Sequence, residues 1–349
     1  MNDTPSSLQA ADRFDRQVRF APFGAEGQAR LQSSRALVVG CGALGGVLAQ
    51  NLVRSGVGEL VLVDRDVVEP SNLPRQVLFF DSHAAEAAPK ALAARETLAA
   101  IGGPTRITAH ATQLDADNIH ELAEGCAVIF DGTDNLATRY LLNDYCVQAD
   151  LPWVYAGVVG AAGIVLPVLT GQGACLRCVF PDPPPLGALD TCESAGVLQP
   201  AVAAVASLAS GIGLRILADP GARQNIEPAL VEIDVWNGNT RRILAPKDPD
   251  CPACGHGELP FLVEARNKRA ERLCGRNTVQ IPAAERPPKL GDLAKKLETV
   301  AEDVSHHEVL LRFVVEGHRL TVFRDGRTLV EGTEDPARAR ALFDRYVGS

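Results

Sequence analysis

The sequence predicts an α/β protein: a mostly parallel sheet with helices on both faces, followed by a small C-terminal α+β module. Three observations carry this. Short apolar runs, Arg35–Gly40 (RALVVG) and Glu59–Asp64 (ELVLVD) first among them, alternate with stretches of helical spacing. A glycine-rich turn joins the first run to the first of those helices. Beyond Cys254 the alternation stops, and patterns typical of hairpins replace it.

Taken in order, residues 13–34 read as charged and helical, 35–40 as a strand, and 43–55 as a helix stopped by Gly56. Strands follow at 59–64, 105–110, 126–131, 152–158 and 163–169, with helices at 89–101, 116–123 and 135–149 between them. The segment 181–192 (PDPPPLGALDTC) has four prolines in its first five residues, which excludes a helix or central strand and predicts a loop. A helix over 194–218 comes next, then strands at 229–235 and 240–245 joined by Asn237-Gly238-Asn239. This makes 1–258 the main domain and the charged, proline-bearing stretch 259–288 a linker. The module 289–349 reads as a helix at 289–300, strands at 308–316, 318–324 and 327–331, and a last helix at 336–346. Arg324-Asp325-Gly326-Arg327 supplies a hairpin turn.

Bulk properties narrow the function. At 349 residues, 46% hydrophobic and 22% charged, the chain is an ordinary soluble globular protein of two domains. With 34 basic and 43 acidic residues its net charge is −9, so it has no general attraction for nucleic acid or anionic lipid. Residues 1–12 are polar and do not read as a secretory signal. The most apolar stretch, Ala201–Leu214, is shorter than the ~20 residues a membrane span needs and reads as a buried helix. Nine cysteines, an odd count with no secretion signal, point to a reducing cytoplasm with some of them binding metal.

The glycine turn, Gly40-Cys41-Gly42-Ala43-Leu44-Gly45, fits G-x-G-x-x-G between strand and helix, the Rossmann-like signature of a nucleotide site. Asp64 ends the next strand 19 residues after Gly45, where a carboxylate can accept hydrogen bonds from a ribose. These features alone suit an NAD-dependent oxidoreductase as well as an ATP enzyme. A cluster of charged and amide side chains farther along the chain favours ATP. Asp66, Asn72, Arg75, Gln76, Lys90 and Asp134 all fall at strand ends or helix starts on one edge of the sheet. Arg75 and Lys90 suit polyphosphate and Asp134 suits magnesium, a set that nucleotidyl transfer needs and hydride transfer does not.

Two C-x-x-C pairs, Cys175/Cys178 and Cys251/Cys254, suit one tetrahedral structural zinc that staples distant segments together. Cys192 closes the proline loop just before a helix, a position that lowers a thiol pKa, although Glu193 beside it opposes the effect.

These motifs, with Arg13-Phe14-Asp15-Arg16-Gln17, Thr133-Asp134-Asn135 and Thr191-Cys192, make residues 13–254 resemble the ThiF/MoeB/HesA group of ubiquitin-activating-enzyme-like adenylyltransferases. The resemblance implies ATP-dependent adenylylation of the C-terminal Gly of a ubiquitin-like, ThiS- or MoaD-like sulfur carrier ending in Gly-Gly, ahead of thiocarboxylate formation. It implies ATP, Mg2+ and Zn2+ as cofactors, and a cysteine desulfurase or rhodanese as sulfur donor. It assigns the ribose to Asp64, phosphates to Arg75 and Lys90, magnesium to Asp134, and phosphate orientation to Asn72 and Gln76. Arg16 would reach the neighbouring subunit's site in a homodimer, and Cys192 matches the family's loop cysteine. Ala43 stands where many members carry Gly. The C-terminal extension tips the reading toward the thiamine pathway over the molybdopterin one. A non-catalytic carrier-binding scaffold is the remaining alternative.

Overall fold

In the computed structural model the described residues are 13–184, 190, 194–219, 221–263, 271–272, 277–282 and 287–348. Eight strands of the first unit form one sheet: β1 (Arg35–Val39), β2 (Glu59–Val63), β3 (Arg106–His110), β4 (Val128–Asp131), β5 (Trp153–Val159), β6 (Ala162–Val168), β7 (Ala229–Asp234) and β8 (Asn239–Leu244). Their spatial order is β3-β2-β1-β4-β5-β6-β7-β8. β3 through β5 in that order are parallel, and β6, β7 and β8 join antiparallel. The chain winds outward from β1 to β3, then returns to place β4 on β1's other side. That reversal opens a crevice at the carboxyl ends of β1 and β4, where open α/β sheets bind their ligands.

The pleat sorts the core onto two faces. Ala36, Val38, Leu60, Leu62, Val128 and Phe130 pack under helices 43–55, 90–101 and 199–218. Leu37, Val39, Val61, Val63 and Ile129 face the other way, toward helix 136–149. This is the expected mostly parallel sheet, covered on both faces.

Three local expectations are corrected. The 13–34 stretch is two helices, Asp15–Val18 and Gly24–Ser33, because Pro22 and the left-handed Gly24 (φ +61°) interrupt it. The helix expected from 194 starts at Gln199, since Gly196 and Leu198 pair with Gly160 instead. The turn between β7 and β8 is 235–238; Asp234 Oδ1 accepts the Trp236 and Asn237 amides, and Asn239 already belongs to β8. At 20 residues, helix 199–218 is the one helix among those described with the length and apolarity of a membrane span. Val202, Val205, Ala206 and Ala209 are buried in the core, and a Cβ on Gly213 would lie 2.1 Å from the Phe130 ring.

The chain divides into two compact units, 1–265 and 266–349. The second is an antiparallel sheet in the order β11-β12-β13-β14-β10-β9. Its strands are β9 (Glu271–Arg272), β10 (Thr278–Ile281), β11 (Glu302–His306), β12 (Leu310–Val315), β13 (His318–Phe323) and β14 (Thr328–Glu331). Val279, Phe313, Leu320 and Val330 pack with Leu293, Leu342 and Phe343 from helices 290–297 and 336–346. The sequence reading put β9 and β10 in a linker and missed β11. β10 alternates polar and apolar residues over only four positions, too short a run to stand out, and β11 is exposed with Val304 as its one apolar residue.

Candidate active site

Backbone meets backbone at the crevice. Gly40 leaves β1 with φ +84°, a conformation that L side chains resist. A Cβ on Gly45 would sit 1.7 Å from the Gly40 carbonyl oxygen, and one on Gly132 would sit 2.6 Å from Gly45 Cα. Gly132, after β4, is therefore a third member of the glycine cradle, which the sequence motif did not name. Gly42 caps helix 43–55 with no side chain on the helix amides. Its φ is −71°, and a Cβ there would lie 3.7 Å from its nearest neighbour, Gln76 Nε2. Packing does not require glycine at 42. Its bareness, like the uncapped amides of Ala43 and its neighbours, suits an anion approaching from outside.

Asp64 braces this loop. Its Oδ2 accepts the Cys41 amide and its Oδ1 the Asp66 amide, both at 2.7 Å. Each oxygen keeps one lone pair, enough for ribose hydroxyls. Burial pushes the Asp64 carboxyl above its ordinary pKa, against the pull of Lys90. Lys90 is 4% exposed and opens helix 90–101, with Nζ 3.3 Å from Asp66 Oδ2. Buried Asn72 accepts the Glu69 amide on its side chain, while its carbonyl takes the Arg75 and Gln76 amides. The Arg75 guanidinium donates to Ser71 O at 2.6 Å. Gln76 is buried, and its Oε1 has no hydrogen-bond partner among the described residues.

Behind the crevice lies an ion pair that the sequence reading missed. Asp131, fully buried at the end of β4, accepts the Thr133 amide and hydroxyl on Oδ1 and faces Arg139 Nε at 3.2 Å through Oδ2. Arg139 also donates to Thr133 O (2.6 Å) and Ala156 O (3.1 Å), and lies over the Tyr155 ring. The signal was an Arg in the first turn of the helix that follows a strand-end acid, eight residues after it. Asp134 itself is exposed and makes no hydrogen bond or ion pair among the described residues.

The segment 13–17 divides. Arg13 donates to Ile101 O and Gly102 O, capping helix 90–101 at its far end, and Gln17 donates to Ser55 O at the far end of helix 43–55. Arg16 extends into solvent, 89% exposed, with Asp15 4.0 Å away. Cys192 lies outside the described residues.

The four thiols of the C-x-x-C pairs converge, all Sγ atoms lying within 4.8 Å of one another. The separations are 3.6 Å (Cys175–Cys251), 3.8 Å (Cys175–Cys178) and 3.4 Å (Cys178–Cys254). A zinc tetrahedron with ~2.3 Å bonds has edges of ~3.8 Å, so the donor set fits that ion. Burial pushes the Cys175 thiol up and that of Cys254 to about 12, so a cation is needed to hold them as thiolates. The site is tied down from outside. Asn143 Oδ1 accepts the Leu176 amide, and buried Arg177 lies 3.8 Å from Asp144 while donating to Pro181 O and Glu258 O. A separate cleft of about 630 Å³ beside helix 90–101, lined by Val53, His83, Arg95 and Thr105, includes none of the predicted site residues.

A strand-end glycine cradle with flanking Lys and Arg, a buried acid and a distant thiol quartet define a nucleotide-using α/β enzyme. The ThiF family model matches residues 14–253, and the chain belongs to that family. It is an adenylyltransferase. It is 37% identical to the sulfur carrier protein ThiS adenylyltransferase of Bacillus subtilis (strain 168), over 96% of this chain and 99% of that one. It is also 37% identical to a sulfur carrier protein adenylyltransferase of Thermus thermophilus, over 70% of this chain and 90% of that one. The pig adenylyltransferase and sulfurtransferase MOCS3 is 38% identical over 75% of this chain, which spans 56% of that protein. Among solved structures, the microcin C7 biosynthetic enzyme MccB superposes with a TM-score of 0.61 at 22% identity, covering 72% of this chain and 77% of that one, a likeness of fold.

Proposed function

We propose that this enzyme adenylylates the C-terminal glycine of a small ubiquitin-like sulfur carrier ending in Gly-Gly. The carrier's carboxylate oxygen attacks the α-phosphorus of ATP, the bond from that phosphorus to the bridging oxygen breaks, and pyrophosphate leaves. The attacking group is already ionised at neutral pH, so no general base is required. The observation that carries this reading is the convergence of the Gly40–Gly45–Gly132 cradle with Asp64 and Lys90 at the switch point.

In this reading the bare backbone at Gly42 and Ala43 admits the phosphates, and Asp64 takes the ribose. Lys90 exchanges its contact with Asp66 for phosphate oxygens, and Arg75 leaves Ser71 O to do the same. Asn72 holds the turn that presents Arg75 and Gln76. Asp134, exposed beside the cradle, would hold Mg2+, which when bound offsets the charge of the polyphosphate. Zinc would occupy the thiol quartet in a structural role, with no open position for substrate. Arg16, projecting into solvent, would complete the site of a second subunit in a homodimer. Cys192 would serve the later sulfur transfer from a desulfurase or rhodanese donor, in a reducing cytoplasm.

The near full-length match to the B. subtilis relative, which includes the region beyond residue 254, supports a thiamine-pathway carrier. The MOCS3 relatives, matched over the adenylylation part, keep a MoaD-like carrier as the second reading. ATP–pyrophosphate exchange tests the proposal, run with carriers ending in Gly-Gly and the same carriers lacking the last glycine. Exchange that requires the intact tail supports it. Absence of ATP binding refutes it. For Cys192, unchanged thiocarboxylate yield from Cys192→Ala with a complete donor system would remove the sulfur-transfer role.

A further inference from the structure

We infer that Arg139 is a positioning residue of this site: it fixes the Gly132–Thr133 backbone and thereby sets where the Asp134 carboxylate stands. The inference rests on the proposed role of Asp134 in holding Mg·ATP.

The geometry is specific. Asp131 ends β4 and clasps Thr133 through both its amide and its hydroxyl. Arg139, one turn inside helix 136–149, closes the clasp from the other side by donating to the Thr133 carbonyl. Thr133 is thus held at N–H, O–H and C=O, and Asp134 is the next residue. The second carbonyl that Arg139 takes, Ala156 O, belongs to β5, so the loop is referenced to the sheet and not only to its own helix. The guanidinium side chain is 11% exposed and lies 5.0 Å from the Tyr155 ring centroid, which leaves it little freedom.

A phosphate-binding role fits this arginine poorly. Nε faces Asp131 and Nη2 is committed to two carbonyls. A buried ion pair is also weak evidence for stability, because desolvation offsets most of the attraction. Its value here is directional: a planar fork that can bond a carboxylate and two carbonyls at fixed angles, which an ammonium group cannot reproduce. Asp134 is felt electrostatically by Arg139, among the influences that raise the arginine's pKa. A shift in the loop therefore changes both the place and the field of the Asp134 carboxylate.

The test compares wild type with Arg139→Lys, Asp134→Asn and the double variant, and uses Asp131→Asn as a second way to open the clasp. Calorimetric ATP binding is measured with Mg2+ and again in EDTA, alongside tail-dependent pyrophosphate exchange. Wild type should bind ATP about 10-fold more tightly with Mg2+. Arg139→Lys and Asp131→Asn should each reduce that gain to under about 3-fold, with affinity in EDTA unchanged within about 2-fold. Exchange kcat should fall about 30-fold in Arg139→Lys, but by less than about 3-fold when the lysine is added to Asp134→Asn. Retention of the Mg2+ gain in Arg139→Lys, equal losses with and without Mg2+, or additive kcat losses in the double variant would each overturn the inference. If no carrier supports exchange in wild type, the carrier proposal fails, while the two binding arms still decide the role of Arg139.

Discussion

Two adjacent glycines in helix 43–55 should respond to the same substitution with opposite signs. Gly→Ala inside a helix ordinarily stabilises by about 1 kcal/mol through backbone entropy. At Gly46 the new methyl would meet Leu78 Cγ at 3.5 Å, an ordinary contact, so Gly46→Ala should stabilise by about 1–2 kcal/mol. At Gly45 it would sit 1.7 Å from Gly40 O and 2.7 Å from Gly40 C, so the helix must move away from β1 by about 1.5 Å. Gly40 cannot yield easily, because it is already in a left-handed turn and its amide donates to Val63 O. Overpacking at the upper end of its range, about 3 kcal/mol, outweighs the helical gain and leaves Gly45→Ala destabilised by about 2 kcal/mol. The pair should differ by about 3–4 kcal/mol, or about 10 °C in melting temperature for a unit of this size. The protein's two tryptophans, Trp153 (buried) and Trp236 (77% exposed), both lie in the first unit. Urea unfolding followed by their fluorescence therefore reads that unit alone. Gly46→Ala should also retain ATP binding, and Gly45→Ala should lose it. Equal or greater stability of Gly45→Ala over wild type would refute the backbone-contact reasoning.

Purified protein should carry one zinc per chain by elemental analysis, and Cys254→Ser should lower the zinc content and destabilise the first unit by several kcal/mol in the urea assay, the order expected for a structural site. Arg177→Met should destabilise by about 3–5 kcal/mol in the same urea assay, since it leaves buried Asp144 without its cation. His110 is held below its usual pKa, chiefly by burial, so protonation favours the unfolded chain. Its contribution is present above the ordinary imidazole range near pH 6.5 and is lost as pH falls through its lowered folded value. His110→Gln should flatten the fall in stability as the pH drops below about 6.5, read from urea midpoints across that range.

The elements of the first unit were legible because a parallel sheet buried on both faces leaves near-continuous apolar strands, as in Ala36–Val39 and Leu60–Val63. The acids and bases expected at the site drew notice because they follow strand ends, as Asp64 and Asp134 do, or open a helix, as Lys90 does. Gly132 and Arg139 were not, because each matters through contact with a segment far away in sequence, Gly45 in one case and Ala156 in the other. Asp64 was read for a ligand and proved also to hold the loop that would receive it. In the second unit β11 escaped notice because it lies exposed at a sheet edge, where composition carries no alternation.

The short segment 13–17 grips helices 43–55 and 90–101 at the ends remote from the crevice: Arg13 on one, Gln17 on the other, with Phe14 filling the space beside Gly56. Each helix is about 18–20 Å long, so its two ends lie on opposite sides of the unit's core. The opposite ends carry the glycine cradle and Lys90. The same five residues carry Arg16 outward. Trimming the chain into this segment would strip the last carbonyls of both helices of these partners, although no residue of the crevice itself would be altered.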